Sequence, residues 1–287
     1  MTVDLHMHTT ASDGTLTPSR VVRRAVRKGV RVIAITDHDT TSGLDEALEE
    51  AARWSLDIIP GIEINTDYGG TEAHILGYFI DPGTPALQEA LARIQRSREE
   101  RSSAILARLR ENGIDVSETE VARHAKGASI GRPHVALALV DRKVVAHVGD
   151  AFDKWLARGR PAYVPRASLT PAEAIALIHT AGGIAVLAHP SYLGGEEAIA
   201  PLVASGLDGL EARYAQHDAA QTAMFVDMAQ RYNLVVSGGS DFHGPKVKKK
   251  VDIGDARFTF ADLRALCEQV GREVPRLARQ RGIGGAA

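Results

Sequence analysis

Short apolar segments recur along the chain, and amphipathic stretches separate most of them. A helix is predicted between the first two segments, because Thr17 can serve as its N-cap, Pro18 stands in its first turn and Gly29 follows its end. Strands that alternate with helices in this way favour βαβ units and a mainly parallel sheet. The predicted strands lie in residues 3–8, 30–39, 56–64, 73–80, 183–190, 206–213 and 233–244.

The alternation stops in the middle of the chain, where no clear strand pattern is present. Ser117 followed by Glu120 is a capping-box pattern, which marks the start of one of several helices in this part. We therefore predict a helical insertion over residues 85–165, and a barrel built from residues 1–84 and 166–287. Seven strands with interleaved helices predict a closed or nearly closed α/β barrel, with a doubly wound open sheet as the alternative. Besides the helix between the first two strands, the predicted helices cover residues 44–55, 85–113, 117–127, 132–140, 148–159, 170–183 and 260–270.

Composition narrows the class of protein. The chain has 287 residues, of which 44% are hydrophobic, which fits one large domain or a domain with an insertion. Its single cysteine, Cys267, excludes an internal disulfide framework and suits a reducing compartment. No signal-peptide pattern is present at the N-terminus, and no apolar run reaches roughly 18 residues. We expect a cytoplasmic protein without a membrane span, and no stable protein partner is evident.

The charge is unevenly distributed. The net charge of −2 argues against a surface that coats DNA broadly. Residues 91–166, however, hold 15 Lys and Arg against 9 Asp and Glu. A basic segment on an acidic body indicates a surface for an anionic ligand, although a solvated helix face explains the charge equally well.

Metal-ligand residue types cluster at the predicted strands. In a parallel β/α barrel the C-terminal strand ends converge on one face, so that residues far apart in sequence become neighbours. His6 and His8 project to the same side of a strand and can chelate one ion together. His74 stands near the start of its strand, and it reaches this face only if a Gly-Gly turn makes a hairpin with the preceding strand. The residues are His6, His8, Asp13, Asp37, His38, Asp39, Glu63, His74, His189, Asp241 and His243.

This set is too large for one ion, because a single site usually takes three or four protein ligands. A lone histidine at a strand end is more often structural, but the whole array favours metal. The mixture of imidazole and carboxylate suits Mn²⁺, Fe²⁺ or Zn²⁺, and a shared carboxylate such as Glu63 could bridge two ions. Asp37 is interpreted as a residue that orients a ligand histidine, and Asp39 as a cap of the next turn.

Six motifs in order resemble those of the PHP (polymerase and histidinol phosphatase) family: DLHMHTTASDG, ITDHDTTSG, GIEI, HILGY, AHP and SDFHG. The resemblance covers residues 3–81 and 170–254. It implies a distorted seven-stranded (β/α) barrel with two or three divalent metal ions, Mn²⁺ first among them. Members of the family include phosphatases, phosphodiesterases and the nuclease-like domains of bacterial DNA polymerases.

The resemblance also implies how the ligands are shared. One ion would take His6, His8, Glu63 and Asp241, and a second would share Glu63 and add His74 and His189. A third would take Asp13, His38 and His243. The first two ions would supply the hydroxide that attacks phosphorus, and the third would bind phosphoryl oxygens.

The motif GRPHVA (131–136) in the helical insertion resembles the TrpH-like branch of the family. It implies hydrolysis of nucleoside 3′,5′-bisphosphates, with release of the 3′-phosphate to leave a nucleoside 5′-monophosphate. Trimming of short 5′-phosphorylated RNA by a 5′–3′ exoribonuclease and histidinol phosphatase activity are the alternatives. Two hypotheses belong to other functional classes: a nonenzymatic accessory domain and a deacetylase-like amidohydrolase. The predicted substrate contacts are Arg132, His134, Arg158 and Asn65, with the insertion as a lid that carries the phosphate pocket.

Overall fold

Eight strands form one sheet in the computed structural model, which describes residues 2–125, 131–165, 168–245, 247 and 251–279. Each of the seven predicted segments overlaps one strand, and the two-residue β8 is an addition. The strands are β1 Thr2–Asp4, β2 Val32–Ile35, β3 Asp57–Tyr68, β4 Thr71–Tyr78, β5 Ile184–Leu187, β6 Gly209–Tyr214, β7 Val235–Gly239 and β8 Phe258–Thr259.

The sheet curls into a nearly closed barrel. Its order is β7-β6-β5-β4-β3-β2-β1-β8. The first strand also meets β7, because the Leu5 amide donates to the Gly238 carbonyl over 3.1 Å and Met7 forms a parallel bridge with Phe242. The pairs β3–β4, β4–β5 and β1–β8 are antiparallel and the others are parallel, so the barrel is mixed. The predicted barrel is confirmed, and the open sheet is not formed.

The hairpin of β3 and β4 explains the position of His74. Gly69 and Gly70 make the turn with φ of +63° and +93°, a conformation that glycine adopts without steric cost. Asn65 pairs with His74 across the two strands. The return strand therefore brings His74 back beside Glu63, as the Gly-Gly turn predicts.

Every predicted helix is present, at least in part. The predicted helix 148–159 is a short α-helix followed by a π-helical turn at Phe152–Leu156. Three further helices lie outside the predicted elements: α8 (Glu196–Ala204), α9 (Ala219–Arg231) and α11 (Arg276–Arg279). The Ser117 hydroxyl accepts from the Glu120 amide over 3.3 Å, as the capping-box pattern predicts. The helices are α1 Pro18–Arg27, α2 Leu44–Ala51, α3 Pro85–Glu111, α4 Glu118–Ala125, α5 Arg132–Asp141, α6 Val148–Ala151, α7 Pro171–Thr180, α8 Glu196–Ala204, α9 Ala219–Arg231, α10 Phe260–Gln269 and α11 Arg276–Arg279.

The chain divides into two compact units. The barrel unit comprises Met1–Gln88 and Leu169–Ala287, and the helical unit comprises Glu89–Ser168. The predicted boundary at residue 166 lies outside the described residues. Among the described helices, none has both the length and the hydropathy required to span a bilayer.

Each unit has its own core. In the barrel unit all four residues of β2 are buried, which fits a strand covered on both faces. Val32 and Ala34 belong to one apolar cluster, whereas Ile33 and Ile35 pack with side chains of α1 and α2. The helical unit is built around a separate cluster that includes Leu109 and Leu139.

Candidate metal centre

Glu63 is a fully buried carboxylate at the centre of a group of histidines. Its Oε2 atom lies 3.2 Å from His6 Nε2, 3.1 Å from His8 Nε2 and 3.2 Å from His38 Nδ1. Two of these histidines follow β1 and the third follows β2, so the parallel strand ends deliver them to one side of Glu63.

The other carboxylate oxygen of Glu63 faces a second pair of histidines. Its Oε1 atom lies 2.9 Å from His74 Nδ1 and 3.3 Å from His189 Nε2. The antiparallel β4 supplies His74 and the end of β5 supplies His189. A carboxylate with different imidazoles at its two oxygens has the geometry of a bridging ligand.

Two aspartates complete the other side of the cluster. Asp241 Oδ1 lies 3.3 Å from His8 Nε2 and 3.2 Å from His243 Nδ1. Asp13 Oδ1 lies 3.3 Å from His243 Nε2, and its Oδ2 lies 3.8 Å from His38 Nε2. The Asp13 side chain is 53% exposed, so the cluster opens to solvent at this edge.

The described residues contain three groups with ligand atoms close enough to share an ion. His8 joins the group expected from Asp13, His38 and His243, which gives that group four potential ligands. His189 belongs to none of the three groups, although its Nε2 lies 3.3 Å from Glu63 Oε1 and its ring packs against that of His74 at 5.0 Å. The groups are His8, Asp13, His38 and His243; His6, His8 and Asp241; and His38, Glu63 and His74.

The residues fit divalent cations, as two observations indicate. The Nδ1 atoms of His8 and His38 are buried and have no hydrogen-bond partner among the described residues. The Nε2 atoms of His6 and His8 face each other over 3.1 Å. Two nitrogens at this distance need one proton between them or a cation that binds both lone pairs. Imidazole and carboxylate donors suit Zn²⁺, Mn²⁺ and Fe²⁺, and burial excludes competing water.

The same contacts shift the pKa values of the metal-free cluster. Burial alone would lower the pKa of His8, but the Asp241 and Glu63 carboxylates raise it to about 9. Burial lowers the pKa of His38 to about 3, against the opposing charge of Glu63. Burial would raise the pKa of Glu63, yet the surrounding histidines hold it well below its usual range. Without metal, protons occupy part of the cluster, so metal binding must displace them.

Glu211 supports two of the histidines and was not predicted. Its Oε1 lies 2.9 Å from His6 Nδ1, and its Oε2 accepts from the His189 amide over 2.8 Å. A carboxylate on the far nitrogen fixes the ring and directs Nε2 toward the cluster. The sequence signal is a single glutamate inside the apolar strand β6, where an unpaired charge would be costly.

Backbone conformation also positions the ligands. Asp241 and His189 have positive φ values of 56° and 29°, which are strained for residues other than glycine. The Tyr214 hydroxyl donates to Asp241 Oδ2 over 3.0 Å and holds that side chain. Gly239 is required next to them, because a Cβ there would lie 2.2 Å from His6 Cβ.

Asp37 and Asp39 have roles in the loops around the centre. Asp37 accepts from the Thr9 amide and hydroxyl, each over 2.7 Å, and from the Ser12 hydroxyl. It therefore fixes the turn between His8 and Asp13, and the predicted contact with a histidine is absent from the described hydrogen bonds. Asp39 accepts from the backbone and side-chain amides of Asn65.

The remaining predicted substrate contacts lie in the helical unit. Arg132 begins α5, stacks over the Phe152 ring at 5.7 Å and reaches the Leu156 carbonyl over 3.4 Å. His134 Nδ1 accepts from the Gly131 amide and caps the same helix. Arg158 is exposed.

Known proteins resemble this chain along most of its length. The PHP domain model matches residues 4–150. The 5′-3′ exoribonuclease Rnm of Salmonella typhimurium is 41% identical over 256 residues, which cover 84% of this chain and 85% of that protein. The 3′,5′-nucleoside bisphosphate phosphatase of Chromobacterium violaceum is 36% identical over 95% of this chain and 96% of its own length. A predicted metal-dependent phosphoesterase from Bifidobacterium adolescentis superposes with a TM-score of 0.78 at 32% identity, over 94% of this chain and 98% of that one.

Proposed function

This chain belongs to the PHP family of metal-dependent phosphoesterases, and on that premise we propose that it hydrolyses nucleoside 3′,5′-bisphosphates. The reaction releases the 3′-phosphate and leaves a nucleoside 5′-monophosphate. The observation that carries the proposal is the buried Glu63, whose two oxygens face different histidines of one cluster. The bisphosphate phosphatase relative, similar over nearly its whole length, supports the choice of substrate.

Nine side chains would hold two or three divalent ions, and Mn²⁺ is our choice among the metals that suit these donors. Bound ions of this kind lower the pKa of water and stabilise negative charge on phosphoryl oxygens. The proposed ligands are His6, His8, Asp13, His38, Glu63, His74, His189, Asp241 and His243.

The surrounding side chains orient the ligands, and burial limits the access of water to them. Glu211 holds the Nδ1 side of His6, so the Nε2 lone pair points toward Glu63. Tyr214 fixes Asp241 in the same way through its hydroxyl. His6, His8 and Glu63 are fully buried, so few water molecules compete with a substrate oxygen on their side. The exposed Asp13 marks the edge from which a phosphate enters.

Arg132 and His134 are proposed to bind the phosphate that is not hydrolysed, which gives the helical unit its role as lid and phosphate pocket. They stand in the first turn of α5, and a helix N-terminus presents free N–H groups to an anion. The guanidinium group also matches phosphate oxygens with its planar fork. Arg158 and Asn65 remain proposals of the same kind, and the bonds of Asn65 to Asp39 already use its side-chain amide.

A second candidate is 5′–3′ exoribonuclease activity on short 5′-phosphorylated RNA. The Salmonella exoribonuclease, at 41% identity, favours it. Both reactions need the same metal centre and a pocket for a second phosphate. They differ in whether a nucleotide chain continues beyond the hydrolysed bond.

A substrate panel tests the proposal. Phosphate or nucleotide release is measured for a nucleoside 3′,5′-bisphosphate, the two monophosphates, histidinol phosphate and a 5′-phosphorylated RNA. We expect the bisphosphate to give the highest kcat/KM, loss of activity on chelation and recovery with Mn²⁺. Equal rates on all substrates would refute the substrate assignment, and full activity after chelation would refute the metal chemistry.

Arg132→Ala tests the phosphate pocket. We expect a rise in KM for the bisphosphate with little change for the monophosphate, because only the bisphosphate offers a second anion. Arg123→Ala, at an exposed position on α4 in the same unit, is the matched control. An unchanged ratio of kcat/KM between bisphosphate and monophosphate would exclude the role of Arg132.

A further inference from the structure

A groove on the barrel unit is lined mainly by arginines. It encloses about 490 Å³. Its arginines are spaced i, i+3, i+4 and i+7 along α1, so they share one face of the helix. One aromatic residue, Trp54, lies across from them. We call it the arginine groove, and its polar and aromatic lining is Arg20, Arg23, Arg24, Arg27 and Trp54.

The arginines form two classes. Arg23 makes two hydrogen bonds with Glu50, at 2.8 and 3.0 Å, and Arg24 makes two with Asp252, each 2.7 Å. The guanidinium groups of Arg20 and Arg27 are exposed and form no hydrogen bond or ion pair with any described residue. The outer two charges are thus uncompensated, and they flank two charges that are held in place. An extended anion matches this arrangement better than a compact one.

Trp54 is fixed and yet accessible. Its Nε1 donates to Glu50 Oε1 over 2.8 Å, and Glu50 is held in turn by Arg23. The residue is nevertheless 46% exposed. An aromatic ring with a fixed edge and an open surface is a platform on which a nucleobase can stack.

One end of the groove is formed by segments that also carry ligands of the metal centre. Leu16, Val26 and Pro245 complete its lining. Leu16 stands three residues after Asp13, and Pro245 stands two residues after His243. The two segments are joined, because the Thr15 amide donates to the His243 carbonyl over 2.7 Å. One end of the groove is therefore formed by the same two joined segments that carry Asp13 and His243.

We propose that the arginine groove binds the single-stranded RNA chain that extends beyond the hydrolysed phosphate. The inference rests on the proposed function, because it takes the metal centre as the point of hydrolysis. Positive side chains that follow a phosphodiester backbone, together with an aromatic platform, are how proteins bind single strands. A nucleoside bisphosphate has no chain beyond its own phosphates, so the groove acts only on oligonucleotides.

The test compares two substrates in the Mn²⁺-loaded enzyme: a 5′-phosphorylated RNA decamer and a nucleoside 3′,5′-bisphosphate. Trp54→Ala should raise KM for the decamer about tenfold, the size of the loss of one base stack, and leave the bisphosphate unchanged. Trp54→Phe keeps a ring and should retain most of the affinity. Arg20→Gln/Arg27→Gln should flatten the logarithmic salt dependence for the decamer by about 1.4, from two lost phosphate contacts.

The control is Arg264→Gln/Arg276→Gln, which removes two positive charges outside the groove. Equal effects of the groove variants on both substrates, or none on the decamer, would overturn the proposal. If the wild-type enzyme hydrolyses neither substrate, the proposed function fails, and the groove is tested by fluorescence anisotropy with a 3′-labelled phosphorothioate RNA decamer. Weaker binding by Trp54→Ala then supports the groove, and unchanged binding, or tighter binding of an acidic peptide than of RNA, overturns it.

Discussion

Glu211→Gln isolates the contribution of one buried charge to the metal centre. In the native protein one carboxylate oxygen faces His6 Nδ1 at 2.9 Å and the other accepts from the His189 amide at 2.8 Å. Glutamine has nearly the same shape but only one acceptor oxygen. Its amide nitrogen must therefore face a donor at either His6 or His189, and it removes the negative charge that holds the His6 ring.

The magnitude follows from these two contacts. Loss of a carboxylate that orients a ligand histidine typically weakens metal binding about 10- to 100-fold, or about 1.4–2.8 kcal/mol. A buried donor left without its acceptor destabilises the fold by about 1–3 kcal/mol. We expect weaker Mn²⁺ binding together with a lower midpoint of thermal unfolding, while the strands around the centre stay in place.

Calorimetric titration of chelator-treated protein with Mn²⁺ measures the affinity, and circular dichroism measures the fold. Glu268→Gln is the matched control, because it removes an exposed carboxylate on α10 far along the chain from any proposed ligand. Mn²⁺ affinity equal to that of the wild type, in a folded Glu211→Gln protein, would refute the reasoning. Equal losses in both variants would point to net charge rather than to Glu211.

Two further predictions concern packing and pH. Gly239→Ala places a Cβ 2.2 Å from His6 Cβ, so β7 must move, and the free energy of unfolding should fall by about 1–3 kcal/mol. Gly149→Ala is the control, because nothing lies within 4 Å of the added Cβ, and it should not lower the melting temperature. Burial alone would lower the pKa values of His8 and His74, but the nearby carboxylates raise them from 6.5 to about 9 and about 10. Their contribution to the stability of the metal-free fold is therefore full below pH 6.5 and lost as the pH rises through about 9 and 10, whereas Mn²⁺ affinity should rise over that interval. Melting curves and titrations across the interval check both trends, and a flat profile for either would contradict them.

Much of the fold could be predicted because its strands and helices follow from local sequence patterns. The fully buried β2 is an uninterrupted apolar run, and the pair Ser117 and Glu120 marks the start of α4. The two-residue β8 carries too little pattern to detect. It pairs antiparallel with the start of β1, Thr2 with Thr259 and Val3 with Phe258, and these residues are too far apart in sequence for a local pattern to indicate the contact.

Some features of the candidate site could likewise be predicted from the sequence, and others could not. Its ligand types and their placement at strand ends were evident, since a period of two places His6 and His8 on one side and strand ends converge in a barrel. Two features were not evident from the sequence: that His8 shares a group with Asp13, and that Glu211 supports two of the histidines. The first depends on how the turn after His8 meets the segments that follow β2 and β7, and the second on contacts of Glu211 with His6 and His189, which no local pattern indicates.

By itself the sequence determined most of the strands and helices, the family, and the residue types gathered at the centre, because hydrophobic period, caps and motif order are local properties of the chain. Only the tertiary structure decided which oxygen of Glu63 faces which histidine, which carboxylates support the ligands, and that arginines of α1 share a groove with Trp54. These are facts about the relative positions of side chains in three dimensions, and packing fixes them.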